Sequence, residues 1–175
     1  MAAINNQFPH VEQFLQSLDR LTEVLGLNVP PILEIQKLRS LPVGTLGRTL
    51  VEFLDTHQLV PLTTGPRRKQ LHDSVHVLTG YGTDPLGEAE VQAFLLGAKF
   101  RLVHILLGLG LLRIICKQMV TGVGSYPPDR TWERLWRAYQ RGYNSQFDVN
   151  AWQPELQWQL PLIQVQAQFH ISRNL

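Results

Sequence analysis

Residues 72–97 read HDSVHVLTGYGTDPLGEAEVQAFLLG, and this stretch decides the fold class as helical. Two helical runs flank a turn-rich break, Gly80-Tyr81-Gly82-Thr83-Asp84-Pro85. Asp84 suits the N-cap of the second run and Pro85 its first helical position. In the first run His72 and His76 stand four apart, so their side chains project one above the other from the same face. Asp73 lies about 100° round, at the rim of that face. The break can bring Glu88 back across from the second run. His72, Asp73, His76 and Glu88 are therefore a candidate first shell for a divalent metal. Leu71, Val75, Val77 and Leu78 interleave with them, which places this helix in the interior. Unpartnered buried histidines and carboxylates would each cost about 1–3 kcal/mol. A buried hydrogen-bond network is the competing reading; one cation satisfies all the groups together.

Two imidazoles with one or two carboxylates suit zinc best, and Fe(II), Mn or Mg remain compatible. A mixed His and carboxylate set with an open position is the pattern of a catalytic site. If Asp73 is not a direct ligand, its role is to orient a histidine.

Outward from this centre the chain reads as helices punctuated by proline and glycine. Val11, Phe14, Leu15, Leu18, Leu21 and Leu25 fall at helical spacing before Gly26. Pro30 and Pro31 open a second helix through Leu38. A third runs from about Thr45 to Gln58 with Leu46, Leu50, Phe53 and Leu54 inward. The motif helix covers about 67–79, and the stretch from Pro85 runs toward Thr121 with a break near Gly97 or Gly108. Another helix covers about 129–144, and Pro154 opens a last region interrupted at Pro161. No strand alternation persists. The expectation is an all-α, single-domain bundle over residues 1–175, with about six to seven helices.

Composition narrows the function. Apolar residues make up 44% of the chain and charged ones 17%, and the net charge of +2 does not favour a nucleic-acid partner. The lone Cys116 gives neither a disulfide framework nor a thiolate metal site and fits a reducing compartment. The opening MAAINNQFPHVEQF lacks the features of a secretory or transit peptide, so a cytoplasmic chain is expected.

Residues 102–116, LVHILLGLGLLRIIC, are apolar nearly all round. A bilayer span needs about 20 apolar residues, and His104 and Arg113 interrupt this run, which argues against insertion. A central core helix is the simple explanation. Yet Gly108 and Gly110 each cost about 1 kcal/mol relative to alanine, which a slender ligand passing close by would explain. The expectation is an apolar tunnel between helices 85–121 and 129–144 that accommodates an isoprenoid tail, lined by Leu106, Gly108, Gly110 and Tyr139. Lys99, Arg101, Arg113 and Lys117 flank the run, and Arg67-Arg68-Lys69 precedes the motif. Such cations either favour helix C-termini or meet anionic head groups at a membrane surface. Trp132, Trp136, Tyr139 and Tyr143 form a stripe at helical spacing, read as core, with a homodimer face as the alternative. His10, His57, His104 and His170 are isolated and receive no chemistry.

The spacing HDxxH, eleven residues, then Glu resembles the signature of the coenzyme Q (ubiquinone) biosynthesis family of the Coq-four type. The likeness extends upstream through LPVGTLGRTLVEFLDTHQL (41–59) and downstream through AYQRGYNSQFDVNAWQPELQWQLPLIQVQAQFHI (138–171). It covers nearly the whole chain from about residue 35 onward, with the central motif specific and the flanks looser. The resemblance implies a helical protein that binds a metal through this motif and sits peripherally at membranes. It implies work on a prenylated lipid or isoprenoid phosphate beside other quinone-biosynthesis enzymes, including oxidative decarboxylation at ring carbon one. The absent presequence points to a bacterial-type homologue, and IQVQAQF (163–169) lacks an arginine that relatives often carry there. The tail would lie in the tunnel and the ring would meet His72, Asp73, His76 and Glu88. A non-catalytic scaffold or carrier of polyprenyl intermediates is the alternative. An HD-type phosphohydrolase, prompted by His72-Asp73, is the third reading, although it leaves His76 and Glu88 unexplained. No residue is assigned as catalytic in its own right.

Overall fold

The computed structural model describes residues 28–99 and 128–171. Among them the chain forms seven α-helices and one 3-10 turn, and no strand. The helices are α1 Ile35–Arg39, α2 Leu46–Thr56, α3 Arg67–Gln70, α4 His72–Thr79, α5 Pro85–Ala98, α6 Pro128–Tyr143 and α7 Leu162–Gln168, with the 3-10 turn at Pro154–Leu156. The all-α expectation holds. The helix expected over residues 11–25 and the apolar run 102–116 lie outside the described residues. Contacts divide the chain into two compact units, residues 1–77 with 153–162, and residues 78–152 with 163–175.

In the first unit α2 is the organising element. Thr45 caps it, its hydroxyl accepting from the Arg48 backbone N–H at 3.4 Å. A helix leaves its first N–H groups without intrahelical partners. Here the returning segment takes two of them: Leu46 N–H donates to Leu160 O at 2.9 Å and Gly47 N–H to Trp158 O at 3.0 Å. Gly47 eases that approach, because a Cβ there would stand 3.2 Å from Trp158 Cβ, as well as 2.8 Å from the end of the Leu41 side chain. Leu46, Leu50 and Leu54 are buried as their spacing predicts. Phe53 differs: it is half-buried, and its ring lies against His57 and His76 rather than in the apolar core.

The Pro30-Pro31 segment also departs from expectation. The helix begins only at Ile35, and residues 29–34 form no helix. Proline disfavours helical backbone in the residue before it. The buried Gln70 side chain then supplies the hydrogen bonds a helix would have made. Ile32 N–H donates to Gln70 Oε1 at 2.9 Å, and Gln70 Nε2 donates to the carbonyls of Val29 and Gly65, both at 3.1 Å.

In the second unit α5 and α6 pack backbone to backbone. A Cβ on Gly97 would sit 2.1 Å from Tyr139 O, and one on Gly142 would sit 2.0 Å from Phe94 O. Beside this contact the buried Glu90 carboxylate receives Arg134 in a bidentate pair, at 2.8 and 2.6 Å. Asp84 caps α5 as expected, accepting from Leu86 and Gly87 N–H at 2.9 and 3.0 Å, with Pro85 in the first turn. The helix ends at Ala98, one residue past Gly97. The aromatic stripe on α6 is not core: Trp132 is 67% exposed, Trp136 55% and Tyr143 71%. The buried side of α6 is instead Thr131, Leu135, Ala138 and Gly142, which lie on an adjacent arc. Small residues face α5 because the two backbones leave no space for an indole.

Alanine normally gains about 1 kcal/mol over glycine inside a helix. Gly142→Ala should reverse that sign, because the obstructing atom is backbone and cannot swing aside. The expected cost is about 1–3 kcal/mol, read as a lower urea midpoint. A variant more stable than the wild type would show that α5 and α6 do not meet there.

Candidate metal centre

Helix α4 presents its histidines because its other sides are committed. Leu71, just before it, and Val75 and Leu78 within it are almost fully buried. At the C-terminal end Gly80 takes φ +77, the left-handed conformation that stops the helix. The last carbonyls are taken up by side chains: Gln166 Nε2 donates to Leu78 O at 2.9 Å and Arg141 Nη1 to Thr79 O at 2.6 Å. The Arg141 guanidinium also lies 5.2 Å above the Tyr81 ring. Burial pushes the Tyr81 phenol up, with Arg141 opposing that shift. Ser74 is fully buried, and its hydroxyl has no hydrogen-bond partner among the described residues. Apolar packing rather than polar contacts therefore fixes that side of α4.

On the histidine side, His72 Nε2 and His76 Nε2 lie 3.2 Å apart, with the rings edge to face at a centroid distance of 4.7 Å. His76 is 1% exposed and His72 half-buried. Phe53 stacks on His76 at 5.9 Å and 23°. Glu88 stands in the first turn of α5. Each of His72, His76 and Glu88 offers one ligand atom, and the three atoms lie within 4.8 Å of one another.

The donor set fits a divalent cation. At a metal–nitrogen distance of about 2.0–2.1 Å, two ligands of a tetrahedral centre stand about 3.3 Å apart. The 3.2 Å between the two Nε2 atoms matches that edge. It equally suits one N–H···N hydrogen bond, in which a single ring carries the proton. A carboxylate brings the one negative charge that two neutral imidazoles lack. Asp73 is 6% exposed and does not belong to the cluster of mutually close ligand atoms.

Other residues singled out in the sequence fall elsewhere. Tyr139 lies in the aromatic row of α6, stacked on Trp136 at 5.4 Å and on Tyr143 at 6.4 Å. Leu106, Gly108, Gly110, Arg113 and Lys117 lie outside the described residues. Where Gly97 and Gly142 meet, the two helices leave no room for a prenyl chain between them. Sequence reading missed the Phe53 ring beside His76 and the Gln166 and Arg141 contacts to α4. All three join residues far apart in sequence and leave no local pattern.

Comparison with known proteins gives relatives of this chain. The family described as Coenzyme Q (ubiquinone) biosynthesis protein Coq4 matches residues 29–174. The mitochondrial ubiquinone biosynthesis protein COQ4 homolog of Homo sapiens is 33% identical over 100 residues, covering 49% of this chain and 35% of that protein. The Mus musculus homolog is 37% identical over 76 residues, covering 35% of this chain and 29% of that protein. Yarrowia lipolytica COQ4 is 34% identical over 76 residues, with the same coverage. Each match spans well under two thirds of the relative's length. A crystal structure of a Nostoc punctiforme protein named for ubiquinone biosynthesis superposes with a TM-score of 0.67 at 18% identity. It covers 98% of this chain and 85% of that one, and shows the fold.

Of the basic trio before the motif, Arg67 already has a partner. Its Nη1 and Nη2 donate to the two Glu155 carboxylate oxygens, each at 2.7 Å. The guanidinium holds the Glu155 carboxyl below its ordinary value of 4.5. A carboxylate with a lowered folded-state pKa contributes stability that is present above 4.5 and lost as pH falls through the folded value. The Tm gap between wild type and Arg67→Ala should be widest near neutral pH and close progressively below 4.5. A gap independent of pH would assign the loss to packing of the arginine stem instead.

Proposed function

Because this chain belongs to the coenzyme Q (ubiquinone) biosynthesis protein Coq4 family, we propose that it binds a polyprenylated ring intermediate of quinone synthesis, with a divalent metal, zinc by preference, held by His72, His76 and Glu88 at the polar end. The observation that carries this reading is the three-ligand cluster, its atoms within 4.8 Å of one another. The family membership argues against a phosphohydrolase.

His72, His76 and Glu88 would hold the cation, which when bound would supply Lewis-acid chemistry of the kind suited to decarboxylation of a ring acid. The protein's own part is electrostatic and steric. His72 and His76 coordinate as neutral imidazoles, and Glu88 contributes one negative charge. With two neutral imidazoles and one carboxylate as ligands, the site would keep one net positive charge around a dication and would favour an anionic carboxylate on the incoming ring. Burial of His76 limits water at the polar end and strengthens that attraction. Asp73, one residue along α4, orients the histidine face rather than ligating.

A greasy substrate is delivered from a membrane surface, and the exposed Trp132, Trp136 and Tyr143 ridge supports adsorption there. No described helix is long and apolar enough to cross a membrane. Other quinone-synthesis enzymes are the proposed partners.

Glu88→Ala tests the reading. The expected outcome is divalent-metal affinity lowered by about tenfold or more, with quinone synthesis lost in a host that depends on this protein. A folded Glu88→Ala protein that still binds prenylated ring acid and still supports synthesis would make the protein a carrier, with the metal incidental.

A further inference from the structure

Phe53 stands 23 positions before His76 in sequence and on a different helix, yet its ring faces the imidazole at 5.9 Å and 23°. The His57 ring lies against Phe53 at 4.6 Å, and His57 N–H donates to Phe53 O at 3.0 Å. All four rings, His57, Phe53, His76 and His72, belong to the first unit. The imidazole χ2 torsion is broad and roughly two-fold, so helical backbone alone does not choose the plane of His76. The Phe53 ring lies beside it, within 23° of its plane. In that plane His76 Nε2 faces His72 Nε2 at 3.2 Å. A Phe53 ring packed only as core would be buried. It is half-exposed, and its ring lies against the rings of His57 and His76.

We propose that Phe53 is the positioning residue of this centre: its ring, backed by His57, sets the plane of the His76 imidazole and so the separation of the two histidine ligand atoms. The cation-binding consequence rests on the metal reading above; the ring geometry does not. Outer-shell residues that orient metal-binding histidines typically change affinity by about 10–100-fold when removed. Phe53→Leu keeps apolar volume but removes the flat face, and Phe53→Tyr keeps the face.

Two measurements on the full chain separate the claims. In metal-free protein, proton NMR should show an upfield ring-current shift on His76 and a nuclear Overhauser contact between the His72 and His76 rings. Both should be lost in Phe53→Leu and retained in Phe53→Tyr, with Tm recorded for each; Phe53→Met replaces the leucine variant if that fails to fold. A His72–His76 contact that survives loss of the ring overturns the proposal, whatever the metal does. Titration with Co(II) alone should then show about tenfold weaker binding and an altered ligand-field spectrum in Phe53→Leu, both restored in Phe53→Tyr. Unchanged affinity and spectrum in Phe53→Leu also overturn it. Wild-type protein that takes up no Co(II), while its rings behave as described, defeats the metal reading and leaves the positioning role standing.

Discussion

The 3.2 Å meeting of two imidazole nitrogens on α4 depends on how that short helix is held. Eight residues make two turns, too few to be stable alone. Its order comes from tertiary partners: apolar burial of Leu71, Val75 and Leu78, and side-chain donors on its last carbonyls. Arg141 and Gln166 therefore hold the C-terminal end of the helix. The cation at the C-terminus also suits the helix dipole. The face that carries His72 and His76 is left out of that apolar packing.

Much of this was legible in the sequence. Positions four apart place His72 and His76 on one face whatever the tertiary structure, so that part of the site is a property of the local chain. The Asp84-Pro85 start of α5 is equally local, and both cap hydrogen bonds form. The Thr45 cap and the buried Leu46, Leu50 and Leu54 follow from the same short-range rules. The family resemblance, carried by HDxxH and the distant Glu, agrees with the match over residues 29–174.

What failed depended on partners. Pro30-Pro31 reads as a helix start, but Gln70, about forty residues on, takes the backbone groups into hydrogen bonds of its own. Trp132, Trp136 and Tyr143 have core spacing, yet α6 turns its small residues toward α5. Periodicity reports that a face exists and not which of two adjacent faces is buried. Gly97 and Gly142 explain the choice: the backbones touch, and bulky rings have to lie to the side. Leu106, Gly108 and Gly110, expected to line a prenyl tunnel, lie outside the described residues. Phe53 is inward by pattern, yet it is half-exposed and its ring lies against His57 and His76.

The central claim is that two imidazoles and one carboxylate hold a single divalent metal. X-ray absorption spectroscopy of zinc-loaded protein reads the ligands directly. The account predicts imidazole scattering from two nitrogens at about 2.0–2.1 Å, reduced to one in His76→Ala. An all-oxygen shell, unchanged by His76→Ala, would contradict it.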